Sequence, residues 1–245
     1  MDIWNRAAPA HKPGISSAML SNPDFVAFAL TIRLSLTTIV ILIVIGTPIA
    51  WWLSQTKSKW RSVIEALIAL PLVLPPTVLG FYMLLTLSPD GVIGASLAAL
   101  GLPSLAFTFS GLVLGSVLYS LPFVVQPLQN AFSSVGQRSL EAASILGAGP
   151  LDRFISVVVP LSKMGYLTAI VLGFAHTMGE FGVVLMIGGN IPGQTQVLSI
   201  AIYDHVESLQ YGAAHSLSAI LLLLSFAVLL MVYSLNKRVQ LLGRA

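Results

Sequence analysis

The sequence predicts an all-α polytopic membrane protein of five spans, and three observations predict it. Apolar residues fill 56% of the 245 positions and charged residues only 9%, against roughly 25% charged in ordinary globular domains; the mean hydropathy is +0.90. Five apolar runs are each long enough to cross a hydrocarbon core of about 30 Å, which takes about 20 helical residues. With five spans, the lysines and arginines of the connecting segments fall on one face, as cytoplasmic loops require.

The first run, 30–53, ends in Trp51 and Trp52, which with Trp60 bracket its inner end as an interfacial belt does. The second, 63–87, holds Pro71, Pro75 and Pro76, which remove three backbone donors and free carbonyls that neighbouring helices or a polar passage must satisfy. A packing kink and a place on a translocation path are both open for these prolines. The third run, 105–128, contains GLVLG at 111–115, a small-residue packing pattern that suits contact within the subunit or between two copies. The fourth and fifth are 161–188 and 212–235. The stretch 191–210 carries Pro192, Asp204, His205 and Glu207 and reads as an ordered loop with a short amphipathic helix.

Charge then orients the chain. Lys57, Lys59, Arg61, Arg138, Arg153, Lys163, Lys237, Arg238 and Arg244 share one side, while the loops at 88–104 and 189–211 contain no Lys or Arg. The N-terminus is therefore expected outside and the C-terminus inside. The expected organisation is an extracytoplasmic segment 1–27, a transmembrane domain 28–235 with a cytoplasmic loop at about 133–160, and a cytoplasmic tail 236–245. The opening MDIWNRAAPAHKPG lacks the pattern of a signal peptide and reads as part of the mature chain.

Composition also excludes functions. With no cysteine there is no disulfide and no thiolate chemistry. The pI near 9.3 arises from 12 Lys+Arg against 9 Asp+Glu, with no basic cluster interleaved with aromatics, so nucleic acid is not an expected partner. His11, His205 and His215 are scattered, and no HExxH motif or carboxylate cluster offers a metal site.

The stretch SLEAASILGAGPLDRFISVVVP (139–160) is polar at its shoulders between apolar runs. Ser139 is a candidate N-cap, Glu141 suits the first turn, and the alanines favour a helix that Gly147 and Gly149 end before Pro150 starts another. Leu140, Ala143 and Gly147 share a small apolar face, suited to insertion into a cleft on another protein or to resting on lipid headgroups.

Glu141-Ala142-Ala143, then Gly147, then Val157-Val158-Val159-Pro160 resemble the EAA signature of permease subunits of ABC-type importers, with valines in place of the usual Ile and Leu. The resemblance implies a five-span type I (MetI-like) permease bundle. It also implies that Glu141, Ala142, Ala143 and Gly147 contact a separate cytoplasmic ATPase. That ATPase, present in two copies, would bind ATP and magnesium. This chain has no G-x4-G-K-[ST] loop and would bind neither. LPLVLPPTVLG (70–80), GEFG (179–182), GNIPGQTQ (189–196) and AIY (201–203) further resemble the ModB-type permease subunit of molybdate importers. GEFG is shared with sulfate and thiosulfate permeases, which stand as the alternative, and tungstate is not separated from molybdate. The family implies a bacterial inner-membrane homodimer, non-catalytic itself, fed by an extracytoplasmic oxyanion-binding protein that meets the outer loops, including 189–211.

Glu180 is a carboxylate well inside a predicted span, with His176 one turn before it. An intramembrane ionisable group costs about 2.5–3.5 kcal/mol on insertion scales unless paired. A free carboxylate repels an anion, so pairing of Glu180 with His176 or with helix-end amides, fixing the bundle, is favoured over cargo contact. Related sequences commonly have Arg at the position of His176. No fixed cation lies between Arg61 and Arg138 or between Lys163 and Lys237, so an anion is expected to meet hydroxyls, amides and water in a weak passage. Arg33 reads as an interfacial arginine before it reads as a cargo contact. An intramembrane hydrolase and a secondary transporter driven by protons through Glu180 are the competing classes.

Overall fold

A computed structural model describes residues 22–242, except for the side chains of 22, 232, 233 and 235–242. Most of the segment 1–27, with His11, lies outside the described residues, as do Arg244 and the side chains of Lys237 and Arg238. The described chain is helical, and no strand occurs in it. Four helical stretches are long and apolar enough to cross a membrane: Pro23–Gln55, Pro76–Ala99, Phe109–Ser134 and Tyr211–Met231. A bent pair, Pro150–Leu161 with Lys163–Met178, makes a fifth if the two are counted as one span.

α1 (Asn22–Gln55), α5 (Phe109–Ser134) and α9 (Lys163–Met178) form the centre of the bundle. In lipid, helices associate by close packing more than by hydrophobic burial, and glycine permits the approach here. A Cβ at Gly173 of α9 would lie 2.7 Å from both Ile39 Cδ1 and Val124 Cγ2. Leu42, Leu53, Leu128 and Phe132 complete this core with no exposure. Trp51 joins it, tilted against Phe154 at 5.3 Å, so it packs inward, while Trp52 and Trp60 stay exposed.

The second apolar run is not one helix. α2 (Arg61–Val73) keeps Pro71 within its last turn, whereas Leu74 (ψ 136°) and Pro75 (ψ 134°) are extended because each precedes a proline that disfavours helical backbone. Pro76 then opens α3 (Pro76–Leu87). α4 (Val92–Ala99) continues that stretch and takes up half of the region expected as the loop 88–104. Three residues of α2 and α5 are tied: Glu65 Oε1 accepts from Arg61 Nε at 2.9 Å and from Gln129 Nε2 at 2.6 Å, and α2 packs on α5.

The fourth run is also divided. α6 (Gln137–Ile145), α7 (Pro150–Arg153), a π-turn Phe154–Val158 and α8 (Val159–Leu161) lead to a 73° bend at Ser162 before α9. Beyond Gly179, Glu180 and Phe181 the chain resumes as α10 (Gly182–Gly188). α10 packs on α5 at the GLVLG pattern: a Cβ at Gly115 would lie 2.5 Å from Ile187 Cδ1. That pattern therefore serves contact within the subunit.

α11 (Leu198–Glu207) is the short helix expected in 191–210, and α12 (Tyr211–Leu242) ends the bundle. Thr31 of α1 fixes the segment before α11, accepting from the Leu198 amide at 2.8 Å while donating to Ala27 O.

Candidate functional site

The two interrupted runs meet at their interruptions. A Cβ at Gly182 would stand 2.7 Å from Pro76 Cβ, so the first turns of α3 and α10 touch. Beside this contact lies a cavity of about 540 Å³ whose lining includes Pro76, Thr77, Tyr119, His176 and Glu180. Pro71 and Pro75 do not line it; of the three prolines, Pro76 alone reaches the cavity. Irregular backbone at membrane depth is tolerated where protein buries it or where it borders a cavity, and both conditions hold here.

The expected pairing of Glu180 with His176 does not form. His176 Nδ1 lies 2.9 Å from Ser120 Oγ, and its ring stacks on Phe123 with centroids 3.8 Å apart and flanks Tyr119 at 4.8 Å. α5 thus claims the imidazole from the opposite side. Helix-end amides do not pair with Glu180 either. Its side chain is buried and neither carboxyl oxygen has a hydrogen-bond partner among the described residues. Ser116 Oγ stands beside the carboxyl without a geometry that makes a bond. The backbone, by contrast, is held: Ser199 Oγ donates to Glu180 O at 2.6 Å. Burying a lone carboxylate costs several kcal/mol unless it is paired or protonated.

A second cavity, about 450 Å³, follows the same faces of α5 and α9 toward Lys163. Gln126, Asn130 and Thr168 are its polar lining. No Lys or Arg lines either cavity. Arg33 is exposed and sits over the Phe109 ring at 4.4 Å, a cation–π contact, and it lines neither cavity.

The EAA stretch is a surface loop. Its helix begins at Gln137 with Gly136, not Ser139, in the capping position, so Glu141 lies past the first turn. The face expected to project is partly turned inward. Leu140 is buried in the central core and Ala143 is half-buried, because the helix must anchor against its own bundle. Glu141, Ala142 and Gly147 are exposed, Gly147 has φ +86°, and the apolar groups that project are Ile145 and Leu146, 87% and 88% exposed. Ile145 closes the helix and Leu146 keeps near-helical backbone (φ −77°, ψ 5°), so the two, five and six residues past Leu140, both fall on the side of the helix away from it.

Three side-chain pairs at the opposite end of the bundle escaped sequence reading. His205 Nε2 meets Asp24 Oδ1 at 2.9 Å, joining α11 to α1. Asn190 Nδ2 donates to Asp204 Oδ1 at 3.1 Å. Tyr203 donates to Glu207 at 2.5 Å, and that hydrogen bond to the carboxylate pushes the Tyr203 phenol above its ordinary value. Among the described residues no group of three or more His, Asp or Glu could hold a metal.

Residues 42–241 match the family described as binding-protein-dependent transport system inner membrane component. The chain belongs to that family. This inner-membrane transport component is 59% identical over 215 residues to the molybdenum transport system permease protein ModB of Azotobacter vinelandii, covering 88% of this chain and 95% of the relative. It is 33% identical to a probable sulfate transport system permease protein of Nephroselmis olivacea, over 84% of this chain and 72% of that one. Its fold matches a solved bacterial alginate ABC transporter in complex with an alginate-bound periplasmic protein, with a TM-score of 0.74, 17% identity, and 91% and 82% of the two chains covered. The resemblance to ABC-type permeases read from the EAA stretch therefore holds for the whole permease domain.

Proposed function

We propose that this chain is the permease subunit of an ATP-driven molybdate importer. The observation that carries the reading is 59% identity to a molybdenum transport permease across nearly its whole length, against 33% to a sulfate permease. Molybdate, with tungstate as its close chemical mimic, crosses the bundle past the two cavities along α5 and α9. No catalytic group for hydrolysis is assigned to the chain. Two copies of it associate with two cytoplasmic ATPase subunits, which bind ATP and magnesium.

The loop 137–153 is the contact with that ATPase. Glu141, Ala142, Ala143 and Gly147 lie at the joint, and the projecting Ile145 and Leu146 supply its apolar area. A helix anchored by Leu140 transmits a push through the π-turn and the 73° bend into α9, which carries His176. The N-terminus is outside and the C-terminus inside, so the outer segment 189–211, pinned by Thr31 and by Asp24–His205, meets an extracytoplasmic binding protein.

Reconstitution of the chain with its ATPase and binding protein in liposomes tests this. ATP-dependent uptake of molybdate, competed by tungstate and not by sulfate, is the expected outcome. Uptake driven by a proton gradient without ATP would make it a secondary transporter, and hydrolysis by the purified chain alone would make it an enzyme.

A further inference from the structure

His176 is held by a chain of hydroxyls whose proton count fixes its tautomer. Ser120 Oγ lies 2.9 Å from His176 Nδ1 and 3.0 Å from Thr177 Oγ1, and Thr177 Oγ1 lies 2.9 Å from Gly173 O. The carbonyl only accepts, so Thr177 donates to it. Ser120 must then donate to Thr177 and accept from Nδ1–H. Any other arrangement leaves one of the three contacts with two facing lone pairs and no proton. The neutral ring therefore carries its hydrogen on Nδ1 and presents a bare lone pair at Nε2. Nε2 has no hydrogen-bond partner among the described residues, and the ring lines the cavity between α3 and α10.

A bare lone pair repels an oxyanion, and no lysine or arginine lines this cavity to offset it. Protonation of Nε2 inverts the interaction, giving a cation with its N–H toward the cavity. The faces of Phe123 and Tyr119 against the ring favour that cation. The first turn of α3, a 12-residue helix, borders the same space at Thr77 and adds a positive dipole end. Glu180, 4% exposed and without a partner, borders it too. Among the described side chains on elements packed against α9, Tyr119 and Glu180 are the other titratable groups lining the cavity. Asp24 and Arg33 of α1 and His215 of α12 are not in the lining.

Resting on the importer reading above, we propose that this cavity receives the tetrahedral oxyanion together with one proton, and that His176 Nε2 holds the proton. The proton comes from a hydronium ion of the bulk solvent, whose O–H bond breaks to leave water, and it returns to water when the anion leaves. An Nε2–H bond forms as the anion enters and breaks when it leaves, and no bond of the oxyanion changes. His176 is the cargo-contacting residue, and Ser120 is a positioning residue.

The test has two arms. In the purified full chain with ¹⁵N-histidine, assigned by difference against His176→Gln, the anion-free ring at pH 8 should be protonated at Nδ1 alone. Saturating molybdate should add a proton at Nε2. Ser120→Ala should lose the Nδ1 preference. In proteoliposomes holding the complete transporter, the ratio of wild-type to His176→Arg uptake should rise several-fold from pH 8 to pH 6, since arginine keeps its charge throughout. Glu180→Gln should leave the pH dependence of uptake in place. A neutral ring protonated at Nε2, an unchanged ring at saturating molybdate, or a pH dependence that disappears in Glu180→Gln would each overturn the proposal. Absence of ATP-driven molybdate uptake by wild type, with the expected ¹⁵N result, would instead overturn the importer reading.

Discussion

Gly182 of α10 is in contact with Pro76 of α3, so close that a Cβ on Gly182 would lie 2.7 Å from the proline Cβ. The contact lies where the interruptions of two membrane runs meet. Proline cannot yield as a flexible side chain would. Gly182→Val should destabilise the chain by about 1–3 kcal/mol, the usual range for overpacking. It should also reduce transport more than a surface change of equal volume. A thermal-melting series in detergent with parallel uptake assays measures both, and an unshifted melting point would show that the two breaks separate freely.

The projecting pair Ile145 and Leu146 leads to a prediction about coupling. Replacing both with Asp removes apolar area that the bundle itself does not use, so the amount of folded chain should stay unchanged. Co-purification of the ATPase should fall at least about tenfold, equivalent to about 1.4 kcal/mol. Gly147→Ala should weaken the same association less, because forcing a side chain into the left-handed region at φ +86° costs about 1–2 kcal/mol and shifts the loop.

Thr31 bears on the segment 189–211. Thr31→Val keeps the shape but leaves the buried Leu198 amide without its acceptor, a loss of about 1–3 kcal/mol. Limited proteolysis of the purified chain should cut within 189–198 faster in this variant. Equal cutting rates in variant and wild type would mean that the segment is held by its other contacts.

Glu65 ties α2 to α5 through Gln129 and to Arg61. The Arg61–Glu65 pair is more than a third exposed, so solvent screens it and its share is small. Gln129→Leu should cost about 1 kcal/mol, while Arg61→Ala should cost less. Melting of the two variants under the same conditions gives the comparison, and the reverse order would assign the tie to the ion pair.

How much of this was legible before the fold is clearest at particular residues. The helix at 198–207 followed from Asp204, His205 and Glu207, which cannot lie in a hydrocarbon core unpaired. The prolines announced a break, but three were present and the chain used two: Leu74 and Pro75 each precede a proline and must be extended, while Pro71 is carried inside a helix whose lost bond lies in its final turn. Glu180 was recognisable as an intramembrane carboxylate by composition alone. Its expected partner was wrong because a spacing of four places two residues on one helix face only while the helix lasts, and α9 ends at Met178.

Apolar run length and the placement of lysine and arginine are properties of the chain taken residue by residue, so the sequence by itself determined the membrane class, the number of runs and the location of the loop carrying Glu141. Which interruption faces which, that Ser120 from another helix takes His176, and that Leu140 turns in while Ile145 and Leu146 turn out, are contacts between segments tens of residues apart. Only tertiary structure decided them, because close packing and hydrogen-bond geometry depend on which surfaces meet, and no local periodicity encodes that.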